Sequence, residues 1–95
     1  MTQPRWVRIV GDGLAFSGPC LLTHVIMWPD ANADYADVYD GRDTTSGKKF
    51  VRVEAAVQTT RHINLSQGVR FDVGIYIDGK GSAVETTVVF IPLPE

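Results

Sequence analysis

Strict alternation of apolar and other residues along one segment limits what this chain can fold into. From Val69 to Asp78 every second residue is apolar, and the intervening residues are charged, glycine or tyrosine. The apolar members are Val69, Phe71, Val73, Ile75 and Ile77. A β-strand sends alternate side chains to opposite faces, whereas the period of a helix would scatter them around its axis. The segment therefore predicts a strand with one buried face, and it argues against a helix.

Other segments with strand character lie between turn-forming residues. Phe50–Val57 repeats the alternation, with Val51, Val53, Ala55 and Val57 facing inward, and Ala83–Ile91 is rich in β-branched residues. Further strands are predicted at Trp6–Val10, Leu14–Phe16, Cys20–Trp28, Ala36–Tyr39 and Arg61–Leu65. Asp-Gly and Ser-Gly pairs between these runs suit tight reversals of the chain. The count predicts an all-β fold, a single antiparallel β-sandwich of seven or eight strands that resembles a jelly roll.

The length and composition of the chain predict a single domain, residues 1–95. A chain of this mass buries roughly 64% of its extended-chain surface on folding, which suffices for one thin core. Hydrophobic residues make up 44% of the sequence and the net charge is only −2. Disordered chains combine low apolar content with high net charge, so the composition excludes that class.

Charge, apolar runs and cysteine content exclude several kinds of partner. Nine basic and eleven acidic residues do not make a nucleic-acid footprint. The apolar runs fall short of the roughly 18 residues that a membrane span needs, and the N-terminal stretch is too polar for a signal peptide. One cysteine cannot form an internal disulfide. We expect no nucleic-acid partner and no membrane partner.

The sequence contains no arrangement that favours catalysis. Cys20 and His24 are expected on the same strand face, but about 13 Å apart at the usual rise per residue. That separation is too large for a thiolate–imidazole pair. His62 has no partner at an informative spacing, and Gly11-Asp12-Gly13 lacks the third glycine and the helix of a dinucleotide site. We expect a protein that is not an enzyme and that uses no cofactor.

One acidic segment leaves a cation site open as an alternative. Asp30–Asp34 matches the start of a calcium loop, but Tyr35 and Gly41 occupy the positions where such a loop needs Gly and Glu. Further carboxylates follow at Asp37, Asp40 and Asp43. The simpler interpretation is a polar loop, so we assign no metal site.

Aromatic residues and residues of the last strand are the candidate contact residues, and the last-strand residues could instead fill the core of this chain. Aromatic side chains on the polar face of a strand suit interface anchors. The last strand is nearly uncharged, and we expect its edge or its outer face to be covered by another subunit. The candidate interface residues are Trp28, Tyr35, Tyr39, Tyr76, Thr87, Val89 and Ile91.

Three stretches resemble small all-β proteins encoded in tailed-phage genomes. They are Gly11–Leu22 with its Gly-Pro turn, Asp37–Gly41 with the sequence V-Y-D-G, and Gly68–Ile77, followed by the Thr/Val-rich last strand. The resemblance covers nearly the whole chain and implies a virion structural protein, most of all a capsid decoration protein that self-associates and binds the shell. It carries over no catalytic residue.

A shorter resemblance covers Asp34–Gly41, which is similar to a stretch of CUB domains, although the chain lacks their paired cysteines. The alternative function is a small β-sandwich binding module for a glycan or a protein, with a calcium-dependent version.

Overall fold

The computed structural model describes residues 3–29, 34–56, 59–80 and 84–94 of the chain. The regular secondary structure of these residues is entirely β-strand. These residues form eight strands and no helix. The strands are β1 Arg5–Val10, β2 Asp12–Ser17, β3 Cys20–Trp28, β4 Asp34–Asp40, β5 Lys48–Ala55, β6 Arg61–Phe71, β7 Gly74–Gly79 and β8 Glu85–Pro92.

The strands make two antiparallel four-stranded sheets. One sheet has the order β1-β8-β3-β6 and the other has the order β2-β7-β4-β5. Every connection except β4–β5 therefore passes from one sheet to the other. This order is that of an eight-stranded jelly roll, a double sheet built from two Greek keys. The predicted fold class is confirmed.

The inner faces of the two sheets enclose one apolar core. Phe71 and Phe90 are its largest fully buried side chains. Alternate residues of β5 point into the core, as predicted, because Val53 and Ala55 are buried while Arg52 and Glu54 are exposed. The remaining buried apolar residues are Cys20, Leu22, Val25, Met27, Ala36, Val38, Ile75, Ile77, Val84 and Val88.

The most regular segment of the sequence is not one strand. It is divided at Asp72 and Val73, where the chain leaves the first sheet and enters the second. The Asp40 carboxylate accepts backbone hydrogen bonds from Asp72 at 3.1 Å, Val73 at 2.9 Å and Gly74 at 3.4 Å. Val73 is 41% exposed at this corner instead of lying in the core. The alternation of apolar residues in the sequence continues past this corner, because both sheets face the same core.

The sixth strand is longer than predicted, because it continues through an irregular stretch. The predicted strand Arg61–Leu65 continues to Phe71. Ser66 and Gly68 adopt positive φ angles of 54° and 97° within it, and the Asn64 side chain accepts a hydrogen bond from the Ser66 amide at 2.8 Å. These turn-like residues explain why the sequence suggested an end at Leu65.

Candidate functional site

The predicted contact residues lie on the two opposite outer faces of the sandwich. We call the outer face of the β1-β8-β3-β6 sheet the tryptophan face, since Trp6 and Trp28 point outward from β1 and β3. We call the outer face of the β2-β7-β4-β5 sheet the tyrosine face. Four of the predicted residues fall on the tryptophan face, namely Trp28, Thr87, Val89 and Ile91. The other three fall on the tyrosine face, namely Tyr35, Tyr39 and Tyr76.

The last strand lies in the interior of its sheet, so the prediction that its edge could pair with a neighbour is wrong. Strand β8 is hydrogen-bonded to β1 on one side and to β3 on the other. The edge strands of that sheet are β1 and β6. What β8 offers to a partner is its outer face, where Thr87, Val89 and Ile91 are partly exposed.

The tryptophan face carries more apolar side chains than the solvent-facing side of an antiparallel sheet usually does. Trp6 is 70% exposed, Trp28 is 56% exposed and Val10 is 53% exposed. Cross-strand register adds partly buried apolar residues to the same face, namely Leu21, Ile26, Val89 and Ile91. Large exposed apolar surface typically marks a contact with another molecule.

Polar groups interrupt the tryptophan face in two places. Arg8 on β1 forms an ion pair with Glu85 on β8, with Nη1 and Oε1 2.9 Å apart. His24 on β3 and His62 on β6 bring Nδ1 and Nε2 within 3.0 Å, so one ring donates a hydrogen bond to the other.

No protein-family model, no curated protein and no solved structure matches the chain. Among the described residues, no helix is long and apolar enough to cross a membrane.

The tyrosine face carries rows of side chains across its four strands. Tyr39 lies directly opposite Tyr76, and Tyr76 lies opposite Leu14 on the edge strand β2. The Tyr76 hydroxyl donates a hydrogen bond to Asp12 at 3.3 Å. Partial burial and the Asp12 carboxylate both raise the pKa of Tyr76.

A buried carboxylate, Asp37, pairs with two partly exposed cations at the centre of the tyrosine face. Asp37 accepts hydrogen bonds from Nε of Arg52 at 2.8 Å and from Nη2 at 3.2 Å, and the ammonium of Lys49 lies 3.2 Å away. Burial alone would raise the pKa of Asp37, but the hydrogen bonds and charges of Arg52 and Lys49 outweigh it and hold that pKa below its usual value. Tyr35 stacks on the Arg52 guanidinium, whose carbon lies 3.9 Å from the ring centroid. Tyr35 therefore packs against Arg52 at this ion pair.

An open cavity of about 490 Å³ lies beside this ion pair. Arg61 and Lys80 bring positive charge to it, and Glu54 is its acidic residue. Nε of Arg61 donates to the Glu54 carbonyl at 3.2 Å, and the Lys80 ammonium lies 5.7 Å from the Tyr35 ring centroid. With Arg52 also in the wall, three cationic side chains and one carboxylate line the cavity.

Cys20 and His24 lie on opposite faces of β3, so the prediction that they share a face is wrong. The register of β3 shifts between Leu22 and His24 against both neighbouring strands. This bulge at Thr23 turns His24 outward, while Cys20 stays fully buried. Burial, helped by the charge of Asp40, raises the pKa of Cys20 to about 11, and a buried thiol of that kind is a poor nucleophile.

The sequence left a cation site at Asp30–Asp34 open as an alternative, and this loop lies outside the described residues except for the Asp34 backbone. Elsewhere, the described residues contain no group of three or more His, Cys, Asp and Glu side chains placed to hold a metal ion.

The predicted contact residues omit Trp6, Val10 and the contact between His24 and His62. Trp6 and Val10 are predicted as part of a strand but not as contact residues. Val7 and Ile9 point toward the core, so the same alternation puts Trp6 and Val10 outside, and this signal was available. The contact between His24 and His62 had no such signal, because they lie 38 residues apart in the sequence.

Proposed function

We propose that this protein is a non-enzymatic structural component of a tailed-phage virion, a capsid decoration protein that self-associates and binds the shell. The observation that carries the structural role is the apolar outer surface of the β1-β8-β3-β6 sheet. Trp6 and Trp28 expose more than half of their surface there. Aromatic residues are enriched among the anchors of protein interfaces.

The dimensions of the molecule suit this role. Its Cα atoms span 40 × 27 × 17 Å, so each broad side is wide compared with the thickness of the slab. A stable protein interface buries about 800 Å² per partner, which one broad side can supply. Two sides of different chemistry allow one surface for like copies and another for the shell.

The virion location rests on the sequence resemblance. The jelly roll is compatible with it, since this fold occurs in viral capsid proteins but also in lectins and cupins. A fold by itself does not assign a function. The resemblance and the apolar face together support an assembly role over a catalytic one.

Light scattering of the purified protein at high micromolar concentration tests the assembly role. We expect a species larger than the monomer, and we expect the double variant Trp6→Ser/Trp28→Ser to be a folded monomer. The matched control is Leu14→Ser, since Leu14 is 42% exposed on the tyrosine face; it is expected to assemble normally. A strictly monomeric wild type that also fails to sediment with capsids would refute the proposal.

The cationic cavity supports a second candidate function, a binding module for an anionic glycan or an acidic peptide. Arg61 and Lys80 would contact the ligand, while Arg52 is already paired with Asp37. Titration calorimetry with a sulfated oligosaccharide is expected to give binding that Lys80→Glu abolishes. A melting temperature unchanged by millimolar calcium would remove the calcium-dependent version, because a ligand of the native state must stabilise it.

A further inference from the structure

The two histidines of the chain meet on the tryptophan face, although one lies on β3 and the other on β6. His24 lies opposite Asn64, and His62 lies opposite Ile26, so the two rings are diagonal neighbours across the strand pair. Their centroids are 5.1 Å apart with an angle of 29° between the planes. Nδ1 of His24 and Nε2 of His62 are 3.0 Å apart.

The backbone fixes this arrangement. The bulge at Thr23 turns His24 outward, and the Thr23 hydroxyl donates a hydrogen bond to the Val89 carbonyl at 2.9 Å. The irregular stretch that begins after Asn64 sets the position of the opposing strand. Both rings are therefore carried by hydrogen-bonded strands and not by loops, which favours a preformed pair of ligands.

The distance between the two nitrogens matches the spacing of ligands around a metal ion. Zinc binds imidazole nitrogen at about 2.0–2.1 Å in tetrahedral geometry, which sets two such nitrogens roughly 3.4 Å apart. A contact of 3.0 Å leaves only a few tenths of an ångström of adjustment. In the metal-free protein a proton occupies this position, since one ring must donate to the other, and a metal ion would replace that proton.

We propose that His24 and His62 together bind one divalent transition-metal ion on the tryptophan face. Imidazole suits zinc, nickel and copper(II), whereas calcium and magnesium prefer oxygen ligands. No third His, Cys, Asp or Glu side chain joins the pair among the described residues. Water therefore fills the remaining coordination positions, and the bound ion is exchangeable and not structural. This proposal does not rest on self-association.

Titration of the full-length protein with zinc chloride, followed by calorimetry and by thermal unfolding, tests the site. We expect one ion per chain and a melting temperature that rises with zinc concentration. Calcium and magnesium are expected to produce neither effect. The single variants His24→Asn and His62→Asn should each weaken zinc binding by about tenfold or more, because each leaves one protein ligand.

The matched control is Thr87→Ala, which alters a partly exposed side chain on the same outer face, opposite Ile26, and leaves both imidazoles in place. It should bind zinc like the wild type. Copper(II) provides a second readout, since its electron paramagnetic resonance spectrum shows coupling to two imidazole nitrogens in the wild type and to one in each histidine variant. Zinc binding unaffected by both histidine variants, or no binding at millimolar zinc, overturns the proposal.

Discussion

The Asp40 carboxylate shows how single residues of the recognisable motifs act in this fold. This carboxylate accepts hydrogen bonds from the backbone amides of Asp72, Val73 and Gly74 at the corner between β6 and β7. The neighbouring Gly41 amide donates to the Gly74 carbonyl at 3.1 Å. A Cβ on Gly74 would lie 2.4 Å from the Phe16 carbonyl oxygen. The V-Y-D-G stretch, which ends at Gly41, and the G-I-Y stretch, which begins at Gly74, therefore meet at one corner. Their residues stabilise that corner of the fold.

Replacing Asp40 by alanine leaves these corner amides without their acceptor. Hydrogen bonds to a charged group contribute roughly 1.5–3 kcal/mol, so we expect Asp40→Ala to lower the free energy of unfolding by about 2 kcal/mol. Urea unfolding measures this loss. The control is Asp72→Ala, which removes an exposed carboxylate paired only with Arg70 and should change stability by less than about 0.5 kcal/mol. Equal losses in the two variants would contradict the role of Asp40.

A second residue-scale prediction concerns Thr86. Its side chain is fully buried on β8, and its hydroxyl has no hydrogen-bond partner in the described part of the protein. Burying an unpaired hydroxyl costs about 1–3 kcal/mol in proteins. Thr86→Val keeps the shape and removes that cost, so we expect the urea midpoint to rise by the equivalent of about 1 kcal/mol. Thr87→Val, on the outer face of the same strand, should leave it nearly unchanged; a lower midpoint for Thr86→Val would show that its hydroxyl is satisfied.

At the scale of elements, the ion pair between β4 and β5 links stability to pH. Because the pKa of Asp37 is lower in the folded protein than in the unfolded chain, its contribution is complete above the usual aspartate pKa of about 3.9. It is lost as the pH falls through the lowered folded-state value. We expect Asp37→Asn to be less stable than the wild type at neutral pH and to lose less stability on acidification. If the urea midpoints of the two proteins fell by the same amount between neutral and acidic pH, this role of Asp37 would be contradicted.

Strand positions could be predicted from the sequence, and their interruptions could not. The bounds of Cys20–Trp28 agree with β3, because apolar character begins after one proline and ends before another. The alternation of apolar and polar residues indicates only which side chains point inward. It does not change when a strand passes from one sheet to the other at Val73, and it gives no notice of a bulge at Thr23. Both features depend on hydrogen bonds to distant strands.

At the scale of the whole molecule, the candidate contact residues lie on two separate outer surfaces. Thr87 and Tyr76 both alternate with buried neighbours, and nothing local shows that β8 and β7 lie in different sheets. The assignment of a residue to a face requires the strand order. That order is set by long-range pairing, such as Trp6 opposite Val89, and not by local pattern.

Both tryptophans of the chain lie on the same face, so their fluorescence reports which surface assembles. Trp6 and Trp28 are 70% and 56% exposed in the single chain, and no other tryptophan contributes. If the tryptophan face is the interface, raising the protein concentration should shift the emission to shorter wavelength and reduce quenching by acrylamide. The change should follow the increase in mass measured by light scattering. Growth in mass with unchanged emission would instead mean that the molecules associate through the tyrosine face, which carries no tryptophan.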